Sequence, residues 1–116
     1  MNALLLERLT EIKLTNYTLN VKMRGDIDHH TAKSVREKID EAILLNKPRF
    51  VILDLSNVDF MDSSGLGLVL GRYTKALDIG AKLIIHKPTR RIKRILEMAG
   101  IERIIEIKGD DYDEML

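Results

Sequence analysis

Hydrophobic and polar positions alternate from Thr18 to Arg24, with Leu19, Val21 and Met23 on one face and Asn20, Lys22 and Arg24 on the other. A period of two predicts a half-buried strand. A weaker alternation over Leu9 to Leu14, followed by Thr15-Asn16-Tyr17, predicts a preceding strand and a hairpin turn. Beyond Gly25 the period lengthens: Ala32, Val35, Ile39, Ala42 and Ile43 recur at helical spacing. That helix is expected to take Asp28 as its N-cap and to stop at Asn46-Lys47-Pro48, because proline disfavours helical geometry in the residue before it. Phe50-Val51-Ile52-Leu53-Asp54-Leu55 is short and nearly continuous in apolar character, as expected of a strand buried on both faces.

The second half repeats the alternation. Leu66, Val69, Leu70, Tyr73, Ala76 and Leu77 form the apolar stripe of a helix beginning near Ser63 and closed by Gly80. Lys82 to His86 reads as a strand, and Lys87-Pro88-Thr89 turns into a third helix with Ile92, Ile95, Leu96 and Ala99 inward, ended by Gly100. Ile101 to Ile107 reads as a last strand, and Asp110-Asp111-Tyr112-Asp113-Glu114 as a short terminal helix or a frayed end. Strand and helix pairs of about thirty residues imply largely parallel pairing with right-handed crossovers, hence an α/β fold.

At 116 residues, 45% of them hydrophobic, residues 1–116 are expected to form one domain with an ordinary core. Nineteen Lys plus Arg against eighteen Asp plus Glu give a net charge of +1, which supplies no global attraction to nucleic acid or membrane. The absence of cysteine excludes disulfides, thiolate catalysis and cysteine metal sites. Met1-Asn2-Ala3-Leu4-Leu5-Leu6 meets Glu7 and Arg8 too soon for a signal peptide, and no stretch approaches the ~20 apolar residues of a membrane span, so the expected compartment is the cytoplasm.

Met61-Asp62-Ser63-Ser64-Gly65-Leu66-Gly67 lies between the buried strand and the second helix, so its serines fall in a first helical turn. Backbone N–H groups there have no intrahelical partner and the macrodipole is positive, which favours oxygen acceptors and anions such as phosphate. The same residue types are those of an ordinary N-cap, with Asp62 or Ser63 contributing about 1 kcal/mol and nothing more. Asp26, Asp28, His29 and His30 follow a strand, a position that in α/β folds lies near other strand-to-helix loops and so near Ser63. Adjacent histidines would face apart and no third ligand is evident, so no metal is expected. Arg90, Arg91, Lys93 and Arg94 read as a solvated helix face.

Gly25-Asp26-Ile27-Asp28-His29-His30-Thr31-Ala32, Phe60-Met61-Asp62-Ser63-Ser64-Gly65-Leu66-Gly67 and Gly71-Arg72-Tyr73, in that order, closely resemble the bacterial anti-sigma factor antagonists, particularly the sporulation branch. The similarity runs from about Thr18 to Ile107. The resemblance implies the STAS fold, a small, mixed, mostly parallel sheet with helices packed mainly on one side. It also implies a regulatory role without enzymatic turnover or cofactor. The unphosphorylated protein would bind an anti-sigma factor that is also a serine kinase, charged with ATP or ADP, and so release a sigma factor. Phosphorylation on Ser63 would end that binding and a serine phosphatase would restore it. Carried over by position, the partner-binding residues are Asp26, Asp28, His29, His30, Asp62, Ser63, Ser64 and Gly65. A monomer with no direct nucleic-acid or membrane contact is expected.

Two alternatives stay open on the residues alone. One is a STAS interaction module, not phosphorylated, in a larger signalling assembly. The other is a small serine hydrolase, since Ser63, His29 or His30, and Asp26 or Asp28 supply the residue types. Asp62-Ser63-Ser64-Gly65 lacks the Gly-x-Ser-x-Gly elbow, and the chain is short for a substrate pocket with an oxyanion hole.

Overall fold

The hairpin expected from the alternating pattern is present in the computed structural model, which describes residues 10–109. Strand β1 (Thr10–Thr15) pairs antiparallel with β2 (Thr18–Ile27), from Thr10 opposite Met23 to Thr15 opposite Thr18. Asn16 and Tyr17 between them both have positive φ, 50° and 61°. Such two-residue turns match the twist of the strands they join. Helix α1 (Ala32–Asn46), β3 (Phe50–Met61), α2 (Ser63–Asp78), β4 (Lys82–His86) and α3 (Arg90–Met98) follow. The described part ends with a 3-10 turn at Ile101–Arg103 and β5 (Glu106–Lys108).

The five strands form one sheet in the order β1-β2-β3-β4-β5, with β2 through β5 parallel. Leu19, Val21, Met23, Val51, Leu53, Leu55, Leu83 and Ile85 share one strand parity and join the core formed with Val35, Ile39, Ile43, Leu68, Val69, Ala76, Ile92 and Leu96 of the three helices. Asn20, Lys22, Ile52, Asp54 and His86, on the opposite parity, are only half-buried, and Phe50 is exposed. The helices therefore cover one face. β3 does not have the two-sided burial its apolar run suggested.

Three further expectations are corrected. On α2 the buried residues are Gly65, Leu68, Val69, Arg72 and Ala76, while Leu70 and Leu77 are exposed. Ala99 caps the C-terminus of α3 and is exposed, so it is not part of that helix's inner face. Ile101 to Ile107 is not one strand: the 3-10 turn buries Ile101 and Ile105, and only Glu106–Lys108 pairs with β4. Leu9 and the acidic run Asp110 to Glu114 lie outside the described residues.

Candidate functional site

β2 bends before it ends. Gly25 has φ 73°, a region that favours glycine, and the pairing with β3 shifts register between Lys22 and Arg24 and again between Gly25 and Asp26. The strand then resumes, with Asp26 opposite Phe60 and Ile27 opposite Met61. Asp26 is thus a strand residue and not part of a loop. As a result β2 and β3 finish side by side, and the turns leading to α1 and α2 leave the sheet at the same edge. The Asp62 N–H donates to the Ile27 carbonyl at 3.3 Å, joining the two turns.

Asp62 is the N-cap of α2. Its backbone is extended (φ −101°, ψ −166°), and its Oδ1 accepts from the N–H groups of Ser64 at 2.8 Å and Gly65 at 3.2 Å. Two of the otherwise unpartnered donors of the first turn are thereby satisfied. Ser63, the first helical residue, is exposed, and Ser64 is half-buried. Gly65 is buried, so it presents nothing to a partner. A Cβ there would stand 2.3 Å from Met61 Cγ and 2.7 Å from the Ile27 carbonyl oxygen. Its role is to let α2 start close against β2 and β3, which places Ser63 and Ser64 at the rim.

The turn before α1 is built on Asp28. Its Oδ1 accepts from the N–H groups of His30 at 2.9 Å and Thr31 at 3.3 Å, while Thr31 Oγ1 accepts from the Asp28 N–H at 3.1 Å and donates to the Asp26 carbonyl at 3.2 Å. This reciprocal arrangement has the form of a capping box. The helix proper begins one turn later than expected, with Thr31 as N-cap and no side-chain bond to the helix. Desolvation raises the Asp28 carboxyl, but the N–H donors of His30 and Thr31 and the nearby His30 and His29 imidazoles outweigh it, holding the group below its ordinary value. His29 and His30 are exposed and do not face apart: their rings are 3.8 Å apart, tilted by 40°. Among the described residues no three His, Cys, Asp or Glu are grouped to hold a metal ion.

Two features of the site were not legible in the sequence. Between the first turns of α1 and α2 lies a groove of about 350 Å³, lined by His29, Ala32, Lys33 and Arg36 on one side and by Ser64, Gly67 and Leu68 on the other. Its charged lining is wholly basic. Lys33 and Arg36 fall just off the apolar stripe of α1, and only the packing of α1 against α2 shows what they face. Deeper between the helices, Arg72 is 3% exposed and its Nε lies 2.8 Å from Asp40 Oδ1. Neither atom is aligned for a directed hydrogen bond and Arg72 Nη1 has no partner, so the contact is an ion pair. Burial lowers the Arg72 pKa from its ordinary value; Asp40 raises it and Arg36 lowers it further. The pair ties α2 to α1 and thereby sets the groove between their first turns.

Similarity to known proteins covers the whole described region. The sequence profile of the STAS domain matches residues 10–112. The anti-sigma F factor antagonist of Paenibacillus polymyxa is 36% identical over 97 residues, 84% of this chain and 83% of that protein. The anti-sigma factor antagonist SpoIIAA in its unphosphorylated form superposes with a TM-score of 0.76 at 25% identity, covering 91% of this chain and 92% of that one. The Bacillus cell fate determinant SpoIIAA in the phosphorylated form gives a TM-score of 0.69 at 25% identity, over 91% and 96% of the two chains.

Proposed function

The chain belongs to the STAS domain family, among the anti-sigma factor antagonists, and from that footing we propose that it is a phosphorylation-gated antagonist whose switch is Ser63. In its unphosphorylated form it docks on an anti-sigma factor serine kinase and frees a sigma factor. The docking surface is the rim formed by Asp26, Asp28, His29, His30, Asp62, Ser63 and Ser64. Transfer of the ATP γ-phosphoryl group to Ser63 adds about −1.5 to −2 charges and three acceptor oxygens at that surface. Complementarity is lost while the fold persists. A serine phosphatase reverses the step, and the protein acts in the cytoplasm as a monomeric single domain over residues 1–116.

The observation that carries this reading is the exposed hydroxyl of Ser63 at the first position of α2, beside the strand-end turn of Asp28, His29 and His30. An acceptor must reach a kinase active site, and Ser64 is the more enclosed of the two serines. The hydrolase alternative gains no support, since neither serine hydroxyl hydrogen-bonds to His29 or His30 among the described residues. No helix among those residues is long and apolar enough to cross a membrane.

Incubation with the cognate kinase and ATP tests the assignment. Trypsin releases Phe50 to Arg72 as one peptide holding Ser56, Ser63 and Ser64. Fragmentation should place the phosphate on Ser63, and Ser63→Ala should bind the kinase without being modified. Phosphate on Ser56 or Ser64 alone, or none at all, would refute the proposal.

A further inference from the structure

A phosphate on Ser63 needs counter-charge, and the first turn of α2 does not offer it freely. Asp62 Oδ1 already occupies the N–H groups of Ser64 and Gly65, and its own negative charge stands next in the chain. A supply of positive charge lies across the groove. Gly67, one helical turn beyond Ser63 and on the same surface of α2, lines that groove, as does Ser64. Side chains at such i and i+4 positions lie about 5–6 Å apart. Opposite them stand His29, Lys33 and Arg36. Lys33 and Arg36 are exposed and make no ion pair among the described residues. Neither α1 nor α2 carries an acidic residue in its first turn, so the carboxylates at these helix ends are those of Asp28 and Asp62, which precede them. Asp28 and Asp62 are each engaged by two backbone N–H groups, Asp40 is paired with Arg72, and Glu37, next to Arg36 and four positions beyond Lys33, makes no ion pair with either among the described residues.

We propose that His29, Lys33 and Arg36 form a receptor within the chain for the phosphate on Ser63. This deepens the switch and rests on Ser63 being the modified residue. Long cationic side chains swing onto the phosphate and bridge α1 to α2 by charge-assisted hydrogen bonds. Modification then alters the docking surface twice. It adds a dianion at Ser63, and it withdraws the Lys33 and Arg36 cations that were free to meet a partner.

Phosphoserine installed at position 63 by codon reassignment tests the receptor without any kinase, so a failure of the kinase reading and a failure of this one are told apart. The ³¹P shift followed against pH at low salt reports the second phosphate ionisation, which for an unassisted phosphoserine lies near about 6. Besides the three receptor residues, the charged or titratable groups on the elements around this edge are Asp26, Asp28 and His30, Glu37 and Asp40 of α1, Asp62 and Arg72 on the α2 side, and Arg91 of α3, which lies over Phe60. With the cations in place the midpoint should fall by about one pH unit or more. The double substitution Lys33→Ala and Arg36→Ala, at exposed helical positions that tolerate alanine, should return it to about 6 or above. Lys75→Ala, which removes a cation from the last turn of α2, should leave it unchanged. A midpoint that is the same with and without Lys33 and Arg36 would overturn the proposal, as would an equal response to Lys75→Ala.

Discussion

Replacing Gly65 by alanine probes how the sheet and α2 jointly hold Ser63 at the rim. The added Cβ would meet Met61 Cγ at 2.3 Å, the Ile27 carbonyl oxygen at 2.7 Å and Ile27 Cγ2 at 3.3 Å. Met61 is 2% and Ile27 1% exposed, so neither side chain has open space to turn into. The carbonyl is fixed by its strand. Restoring a contact of 3.4 Å to that oxygen requires the start of α2 to withdraw by about 0.7 Å, and Met61 demands more. Overpacking of this kind costs roughly 1–3 kcal/mol, and the better helical propensity of alanine offsets about 1 kcal/mol. The backbone clash places the cost toward the upper end, so a net loss of about 1–2 kcal/mol is expected. Gly71 lies on the same helix with nothing within 4 Å of its added methyl. Only propensity acts there, and Gly71→Ala should gain about 0.5–1 kcal/mol. Urea unfolding at equal m-value reads both variants against the parent. A Gly65→Ala protein as stable as Gly71→Ala would show that close approach is not why glycine stands at position 65.

Asp62→Ala should cost about 0.5–2 kcal/mol through loss of the cap, while Asp62→Asn, which keeps the acceptor, should cost much less; equal losses in thermal unfolding would contradict the cap geometry. Asp40→Ala should destabilise by about 3 kcal/mol, because it leaves Arg72 buried without a counter-charge, whereas Arg72→Met should cost under about 1 kcal/mol. Its partner carboxylate, 28% exposed, can hydrate; the reverse order in denaturant titration would refute this. Asp28 has a folded-state pKa below its ordinary value of 3.8. Its contribution is therefore complete above that value and is lost as pH falls through the lower folded-state value. Stability followed through acid should accordingly show the gap between parent and Asp28→Asn shrinking as pH falls below about 3.8; a gap unchanged through acid would refute the role given to the carboxylate.

The elements whose signal is local were legible in the sequence. The alternation around Leu19, Val21 and Met23, the Asp62 cap and the strand at Lys82–His86 each depend on a few consecutive residues, and the structure has them where expected. The phase of α2 was harder. Leu70 and Leu77 are apolar and Arg72 is charged, so hydrophobicity alone turned the stripe away from the true face through Gly65, Leu68, Arg72 and Ala76. Burial of Arg72 depends on Asp40 thirty-two positions earlier, a tertiary fact. The same holds for Gly65, which read as part of a surface motif and is buried for its close approach to Ile27 and Met61. β5 was overdrawn because Ile101 and Ile105 are buried by a tight turn that has the composition of a strand. The basic groove required two helices to be placed side by side before Lys33 and Arg36 could be seen to face Ser64.

On the proposed function, exposed Ser63 at the start of α2 gates binding to an anti-sigma factor. Calorimetric titration of the cognate anti-sigma factor with unmodified protein and with protein carrying phosphoserine at position 63 tests it most directly. Like-charge repulsion at an interface costs several kcal/mol, and each 1.4 kcal/mol is tenfold in affinity, so the phosphorylated form should bind at least about 100-fold more weakly. Affinities equal within twofold would refute a switch at Ser63.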